Sequence, residues 1–157
     1  MVRILKGTFK VKNKRIAVVV SRFNEFITQK LLDGCLPELS RLGVKQSDIT
    51  VVWVPGSFEV PVVALKFAQK KTVAAVICLG AVIRGETIHF DLVAEAASRG
   101  ISQVALTTRK PIIFGVLATD TVEQAYKRSG QDGENKGIEA ARNAIEMISL
   151  MENLRRT

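Results

Sequence analysis

Ile16-Ala17-Val18-Val19-Val20-Ser21 is the stretch on which the fold turns. An unbroken, β-branched apolar run has the character of a strand covered on both faces, as strands are in a parallel sheet. Working outward, Ile49–Val54 (ITVVWV), punctuated by Pro55-Gly56, reads as a second such strand. Ala74–Leu79 (AAVICL), ended by Gly80, reads as a third, and Ile112–Leu117 (IIFGVL), opened by Pro111, as a fourth. Between the first two, Ile27, Leu31, Cys35, Leu39 and Leu42 recur at helical spacing, so a helix is expected from about Glu25 to Leu42 with Gly43 as its stop. A short helix, about Phe58 to Gln69, accommodates Pro61 only in its first turn. A long one, about Phe90 to Thr108, has Phe90, Val93, Ala94, Ala97, Ile101 and Val104 as its apolar face. Gly100 inside it costs about 1 kcal/mol against Ala and so points to close packing there. Asp120 with Glu123 marks the start of a short helix ending near Arg128. A loop, 129–134, and a final helix from about Asn135 to Leu154 complete the chain. Strands separated by helices imply an α/β protein with a parallel sheet covered on both faces and right-handed crossovers. Without repeat, low-complexity tract or linker, residues 1–157 are expected to form one domain, with 1–14 as an N-terminal arm.

Composition is in keeping with this. The 157 residues are 47% apolar and 24% charged, the balance of a globular domain with a sizeable core. No apolar run approaches the ~20 residues of a membrane span. The opening MVRILKGTFKVKNKR has no apolar stretch leading to a small-residue cleavage site, so no secretory leader is expected. Cys35 and Cys78 sit in apolar segments and read as small buried hydrophobes, since neither disulfide nor metal spacing accompanies them. The net charge of +8 favours anionic ligands. The cations are scattered and form no stripe interleaved with aromatics, so no nucleic-acid recognition motif is present.

Ligands of open parallel sheets bind beyond the carboxyl ends of the strands. That rule singles out Arg22-Phe23-Asn24, the segment Pro55–Glu59, and the segment Gly80–His89, which should converge on one edge. Gly80 and Gly85 have P-loop spacing, but Glu86 stands where the phosphate lysine belongs. A glycine-flanked turn into a helix remains, whose N–H groups, with the Thr87 hydroxyl, can hold one phosphate or carboxylate. On spacing alone, an ordinary strand-to-helix turn explains it equally well. His89 is the single histidine of the chain, and an imidazole suits proton transfer near neutral pH; a structural histidine is the alternative. Phe23 is either a platform for a flat heterocycle or a core residue under the helix start. Glu59 either complements a helix N-terminus or hydrogen-bonds a polyol.

Ser21–Asn24, Val54–Pro61, Gly80–Phe90, Phe114–Leu117, Glu123–Ala125 and Asn135–Gly137, in this order and spacing, resemble the lumazine synthase family over nearly the whole chain. The resemblance implies a flavodoxin-like three-layer αβα sandwich with a four-stranded parallel sheet. It implies a cytoplasmic transferase, 6,7-dimethyl-8-ribityllumazine synthase, catalysing the penultimate step of riboflavin biosynthesis. Its two small-molecule substrates would be 5-amino-6-(D-ribitylamino)uracil and 3,4-dihydroxy-2-butanone 4-phosphate, with no cofactor and no metal. It further implies a homopentamer with active sites between subunits, an icosahedral capsid of twelve pentamers, and association with riboflavin synthase.

Position by position, the resemblance makes Phe23 the ring-stacking residue. Ser57, Phe58 and Glu59 become the ribityl-binding segment, and Ala81, Val82 and Ile83 the backbone that reads the uracil edge. Glu86 and Thr87 match the phosphate turn, and His89 the proton-transfer residue. Phe114, Lys136 and the phosphate-clamping Arg128 would reach in from the neighbouring subunit. The loop 130–134 departs from the family pattern, with Asp132 where a basic residue is usual, which bears on contacts between pentamers. The competing readings are a binding module that holds a flavin without turnover, a basic nucleic-acid binder, and a shell protein with a decayed site.

Overall fold

The structure, a computed structural model, describes residues 1–130 and 134–157. The four strands β1 (Arg15–Ser21), β2 (Ile49–Val54), β3 (Val73–Ile83) and β4 (Ile112–Thr119) form one sheet in the order β2-β1-β3-β4. Every pairing in it is parallel. The helices are α1 (Glu25–Arg41), α2 (Val60–Ala68), α3 (His89–Thr108), α4 (Val122–Ser129) and α5 (Lys136–Arg155).

The period-two alternation of the strands divides the core. Val18, Val20, Ile77 and Leu79 face one way, onto Leu31, Cys35 and Leu39 of α1, Ala125 of α4 and Ile145 of α5. Val19, Val76 and Cys78 face the other way, onto Val60 and Ala64 of α2 and Ile101 and Val104 of α3. The result is the three-layer α/β sandwich of flavodoxin-like proteins. Because β1 and β3 are central and doubly covered, their apolar runs are unbroken, and each fully buried Val, Leu or Ile contributes about 1.5–3 kcal/mol relative to an exposed one. The edge strand β2 is only partly covered, leaving Thr50 and Trp53 exposed. Cys35 and Cys78 lie in opposite cores as free thiols, each pushed up to about 12 by burial.

Several boundaries differ from the sequence expectation for identifiable reasons. Gly80 does not end β3: it pairs with Val116, and the strand runs on to Ile83. Of the segment expected to be a glycine-flanked turn, Gly80–Ile83 is therefore strand, and the turn is confined to 84–88. α4 is capped by Thr121, whose Oγ1 accepts from Gln124 N–H at 3.1 Å, not by Asp120. The Asp120 carboxylate is already engaged by Arg84. α2 starts at Val60, after a single 3-10 turn at Ser57–Glu59, which leaves Pro61 in its first turn as required. At Gly100, a Cβ would meet the Pro61 ring at 2.7 Å, so the glycine lets α3 lie against α2.

Residues 1–14 contain no helix or strand. From Lys6 onward the arm is tied to its own chain, beginning with Asn153 Nδ2, which donates to Lys6 O at 3.2 Å. Thr8 N–H donates to Ser149 Oγ at 2.9 Å, Lys14 pairs with Glu152, and buried Val11 bonds through its N–H to Leu42 O. The departure at Asp132 lies outside the described residues.

Buried Asn135 joins three helices. Its Oδ1 caps α5 by accepting from Gly137 N–H at 2.8 Å, while its Nδ2 donates to Lys30 O and Ser129 O. Glu38 links α1 to α5: its carboxylate accepts from Arg41 at 2.7 and 2.8 Å and from Arg142 at 2.6 Å. The Arg41 hydrogen bonds, aided by Arg142 and opposed by burial, hold the Glu38 carboxyl at about 2, below its ordinary 4.5. Folding thus favours the ionised form, and its stabilising effect is complete above pH 4.5 and lost as pH falls through about 2. Glu38→Gln should accordingly lower the thermal midpoint by a few degrees at pH 7. The difference from wild type should shrink steadily as the pH of the melts is lowered below 4.5.

Candidate functional site

In the order β2-β1-β3-β4 the chain leaves β1 toward one neighbour and later returns on its other side, so the switch in strand order falls between β1 and β3. A cavity of about 730 Å³ opens at the carboxyl ends there. All three segments singled out in the sequence meet in it: Phe23 after β1, residues 55–59 after β2, and Ala81, Val82, Ile83, Gly85, Thr87 and His89 from β3 to α3.

Each wall is held by backbone. Arg22 N–H donates to Val54 O at 2.8 Å and Phe23 N–H to Pro55 O at 3.0 Å, fastening the turn after β1 to the end of β2. The Phe23 ring is consequently 69% exposed and faces the cavity, which disposes of the core-residue alternative. Asn24, in the left-handed region at φ 59°, makes no side-chain cap for α1. Its Nδ2 instead donates to Ala81 O at 2.8 Å and ties the β1 turn to β3. Phe58 is 62% exposed on the opposite wall, while Ser57 is buried beneath it. Ser57 can occupy that position because residue 80 is glycine: a Cβ there would stand 2.6 Å from Ser57 Oγ and 3.2 Å from Val116 Cγ1. Glu59 is half-buried in the same turn.

The β3 wall has an unusual backbone. Pairing with β1 ends at Leu79↔Val20, whereas pairing with β4 continues to Ile83↔Thr119. Residues 80–83 therefore have a strand on one side only, and, apart from Ala81 O, which Asn24 meets, the remaining backbone groups of Ala81, Val82 and Ile83 border the cavity. A planar amide-like edge is a suitable complement for such groups, which need a hydrogen-bonding partner once a ligand displaces water from the pocket.

Beyond β3 the chain turns through 84–88 into α3. His89 is the first residue of that helix, and its N–H donates to Thr87 Oγ1 at 3.3 Å. Accepting that bond leaves the Thr87 O–H free to donate. Glu86 belongs to the turn without lining the cavity. Arg84 binds Asp120 through Nε at 2.8 Å and Asp91 at 3.4 and 3.5 Å, and Asp120 raises its pKa above the ordinary guanidinium value.

Phe114, Arg128 and Lys136 lie elsewhere. They line a separate cavity of about 270 Å³ between the outer edge of β4 and helices α4 and α5. Arg128 rests on Gln124 O at 3.1 Å, Lys136 on Glu139 Oε2 at 2.6 Å, and Phe114 is 50% exposed. The two cavities have no lining residue in common.

Sequence reasoning missed Leu92 and the pocket role of Phe90 and Val93, which it placed only in the helix core. Leu92 stands off the apolar stripe of α3, and an apolar residue off the stripe beside a candidate histidine was the available signal. Among the described residues, no group of three or more His, Cys, Asp and Glu side chains is arranged to hold a metal, and no helix is long and apolar enough to cross a membrane.

A doubly covered parallel sheet with an open pocket at its topological switch point defines a flavodoxin-like α/β protein with a small-molecule site. Residues 13–152 match the family described as 6,7-dimethyl-8-ribityllumazine synthase, and the chain belongs to that family. Membership makes it a transferase-type lumazine synthase of riboflavin biosynthesis, an enzyme that binds substrate and assembles as an oligomer.

Because Gly80 clears the space for Ser57, Gly80→Ala should overpack this wall. The expected loss is about 1–3 kcal/mol of stability, read as a lower denaturant midpoint. An unchanged midpoint would show that the 57–59 turn gives way freely.

Proposed function

We propose that the protein, acting as one domain over residues 1–157, condenses 5-amino-6-(D-ribitylamino)uracil with 3,4-dihydroxy-2-butanone 4-phosphate. The product is 6,7-dimethyl-8-ribityllumazine, formed with release of phosphate and water. The observation that carries the reading is the division of the family's site residues between two cavities. Phe23, Ser57, Phe58, Glu59, Thr87 and His89 surround one, and Phe114, Arg128 and Lys136 line the other. A site assembled from the first cavity of one subunit and the second cavity of its neighbour has a ring platform, a polyol-binding turn, a proton carrier and a phosphate clamp together. Exposed Phe114, beside β4, and the exposed pair Phe26–Tyr126, with ring centroids 5.7 Å apart, are apolar surfaces suited to such a contact. The assembly is a homopentamer in this reading. A shell of twelve pentamers, association with riboflavin synthase and cytoplasmic residence complete it on the strength of the family resemblance.

Within the site, the uracil ring stacks on Phe23 while the backbone of Ala81, Val82 and Ile83 reads its edge. Ser57, Phe58 and Glu59 hold the ribityl chain, and Lys136 of the neighbour reaches the same end. The phosphate of the ketone lies between the N–H groups of Glu86 and Thr87 and the guanidinium of the neighbour's Arg128, whose planar fork gives bidentate contact. The 5-amino group attacks the carbonyl and water leaves, giving an imine. Loss of the adjacent carbon-bound proton then expels phosphate, and the resulting enol becomes a ketone. The ribitylamino nitrogen closes the second ring on that ketone with loss of a second water. His89 accepts and returns protons through these steps. Both reactants are inherently reactive, so most of the acceleration comes from holding amine and carbonyl in attack geometry, a term that reaches effective molarities of roughly 10⁵–10⁸ M.

Mixing the two substrates with the protein should yield the fluorescent lumazine, with light scattering reporting particle size. His89→Ala should lower kcat by roughly 10²-fold, the lower range for a general acid–base group. Arg128→Ala should raise KM for the phosphorylated ketone by about 10-fold or more, the equivalent of one lost charge-assisted contact, with KM for the pyrimidine little changed. An Arg128→Ala enzyme of unaltered KM would remove the clamp from the mechanism.

A further inference from the structure

We propose that Arg84 is a positioning residue for this reaction, bracing the turn 85–88 and the first turn of α3, which carries His89, against the β4–α4 junction. The inference rests on the functional reading above, which makes this turn the phosphate site. The turn itself is weakly held. Residues 84–89 are all exposed, and a Cβ on Gly85 would meet no atom within 4 Å. Among the described residues, its side-chain support from within is the Thr87–His89 bond alone.

Arg84 supplies restraint at three points. Its N–H donates to Thr119 O at 2.9 Å, extending the β3–β4 ladder one step past the strand ends. Its Nε donates to Asp120 Oδ1 at 2.8 Å, immediately before the α4 cap Thr121. Its terminal nitrogens reach Asp91 in the first turn of α3, and its guanidinium carbon lies 4.4 Å from the centroid of the Phe90 ring. Phe90 adjoins His89 in sequence and lines the same cavity.

The charge balance separates this role from phosphate binding. Two carboxylates already face the guanidinium, so Arg84 adds little positive potential for an anion. It acts through geometry, and its planar fork meets carboxylate acceptors and ring face together in a way that a lysine ammonium cannot. Because the pairs are exposed, they contribute little to global stability. A kinetic effect without a stability effect is therefore the signature of a brace.

The test uses the assembled full-length enzyme with both substrates, comparing wild type with Arg84→Ala, Arg84→Lys and Asp120→Asn. For Arg84→Ala, KM for the phosphorylated ketone should rise roughly 10-fold, within the cost of misplacing reacting groups by about an ångström, and kcat should fall. The pyrimidine KM and thermal midpoint should stay at wild-type values. Asp120→Asn should reproduce the KM change in part, and Arg84→Lys should fall between wild type and Arg84→Ala. Wild-type kinetics in Arg84→Ala would overturn the inference, as would a lowered thermal midpoint with both KM values raised together. Wild-type protein that forms no lumazine overturns the functional reading and this inference with it, whereas an active wild type with an indifferent Arg84 overturns this inference alone.

Discussion

At the carboxyl end of β3, backbone with an inherent demand for hydrogen bonds is left with a strand on one side only. The strand is central and apolar, yet it outruns β1 after Leu79 while β4 follows it to Thr119. Most of the pocket follows from that mismatch. Asn24 gives up capping α1 to satisfy Ala81 O, which pins the Phe23 turn to β3. Gly80, lacking a side chain at the point of divergence, lets Ser57 lie buried beside the strand. The turns after β1 and β2 are thus drawn together beside the end of β3, and the cavity between them is apolar at Phe23 and Phe58 and bordered by Ala81, Val82 and Ile83.

Electrostatics are distributed with similar economy. The chain carries a net charge of +8, but the guanidinium nearest the turn into α3 is matched by Asp91 and Asp120. The cations Arg128 and Lys136 stand at the second cavity instead. In the proposed assembly, positive charge reaches the phosphate only when a neighbouring subunit is present. In that proposal an isolated subunit has the ring platform and the proton carrier without the clamp, and catalysis depends on association.

The separation of the two cavities has a topological cause. Phe114 belongs to β4, an edge strand, while α4 and α5 follow it on the sheet face also covered by α1. The first cavity lies at β1 and β3 and extends toward α2 and α3. A single chain has no path that would bring the β4 edge around to the β1–β3 switch point. In the proposed assembly a contact between copies joins them, and a heterologous contact of that kind, repeated, closes into a ring when the rotation permits.

The amino-acid sequence alone determined the alternating strands and helices, because doubly covered strands must be apolar throughout and amphipathic helices must repeat near every third or fourth residue. It also identified the segments at the sheet edge, since a parallel sheet places its ligand turns after its strands. It misjudged Gly80 as a stop and Asp120 as a cap, because both positions are settled by distant partners: Ser57 and Val116 for one, Arg84 for the other. Only the tertiary structure decided how far β3 extends, where Asn24 points, and that Phe114, Arg128 and Lys136 gather apart from His89. Local pattern reports which face of an element is buried, whereas register, shared hydrogen bonds and the distance between cavities depend on residues far apart in the chain.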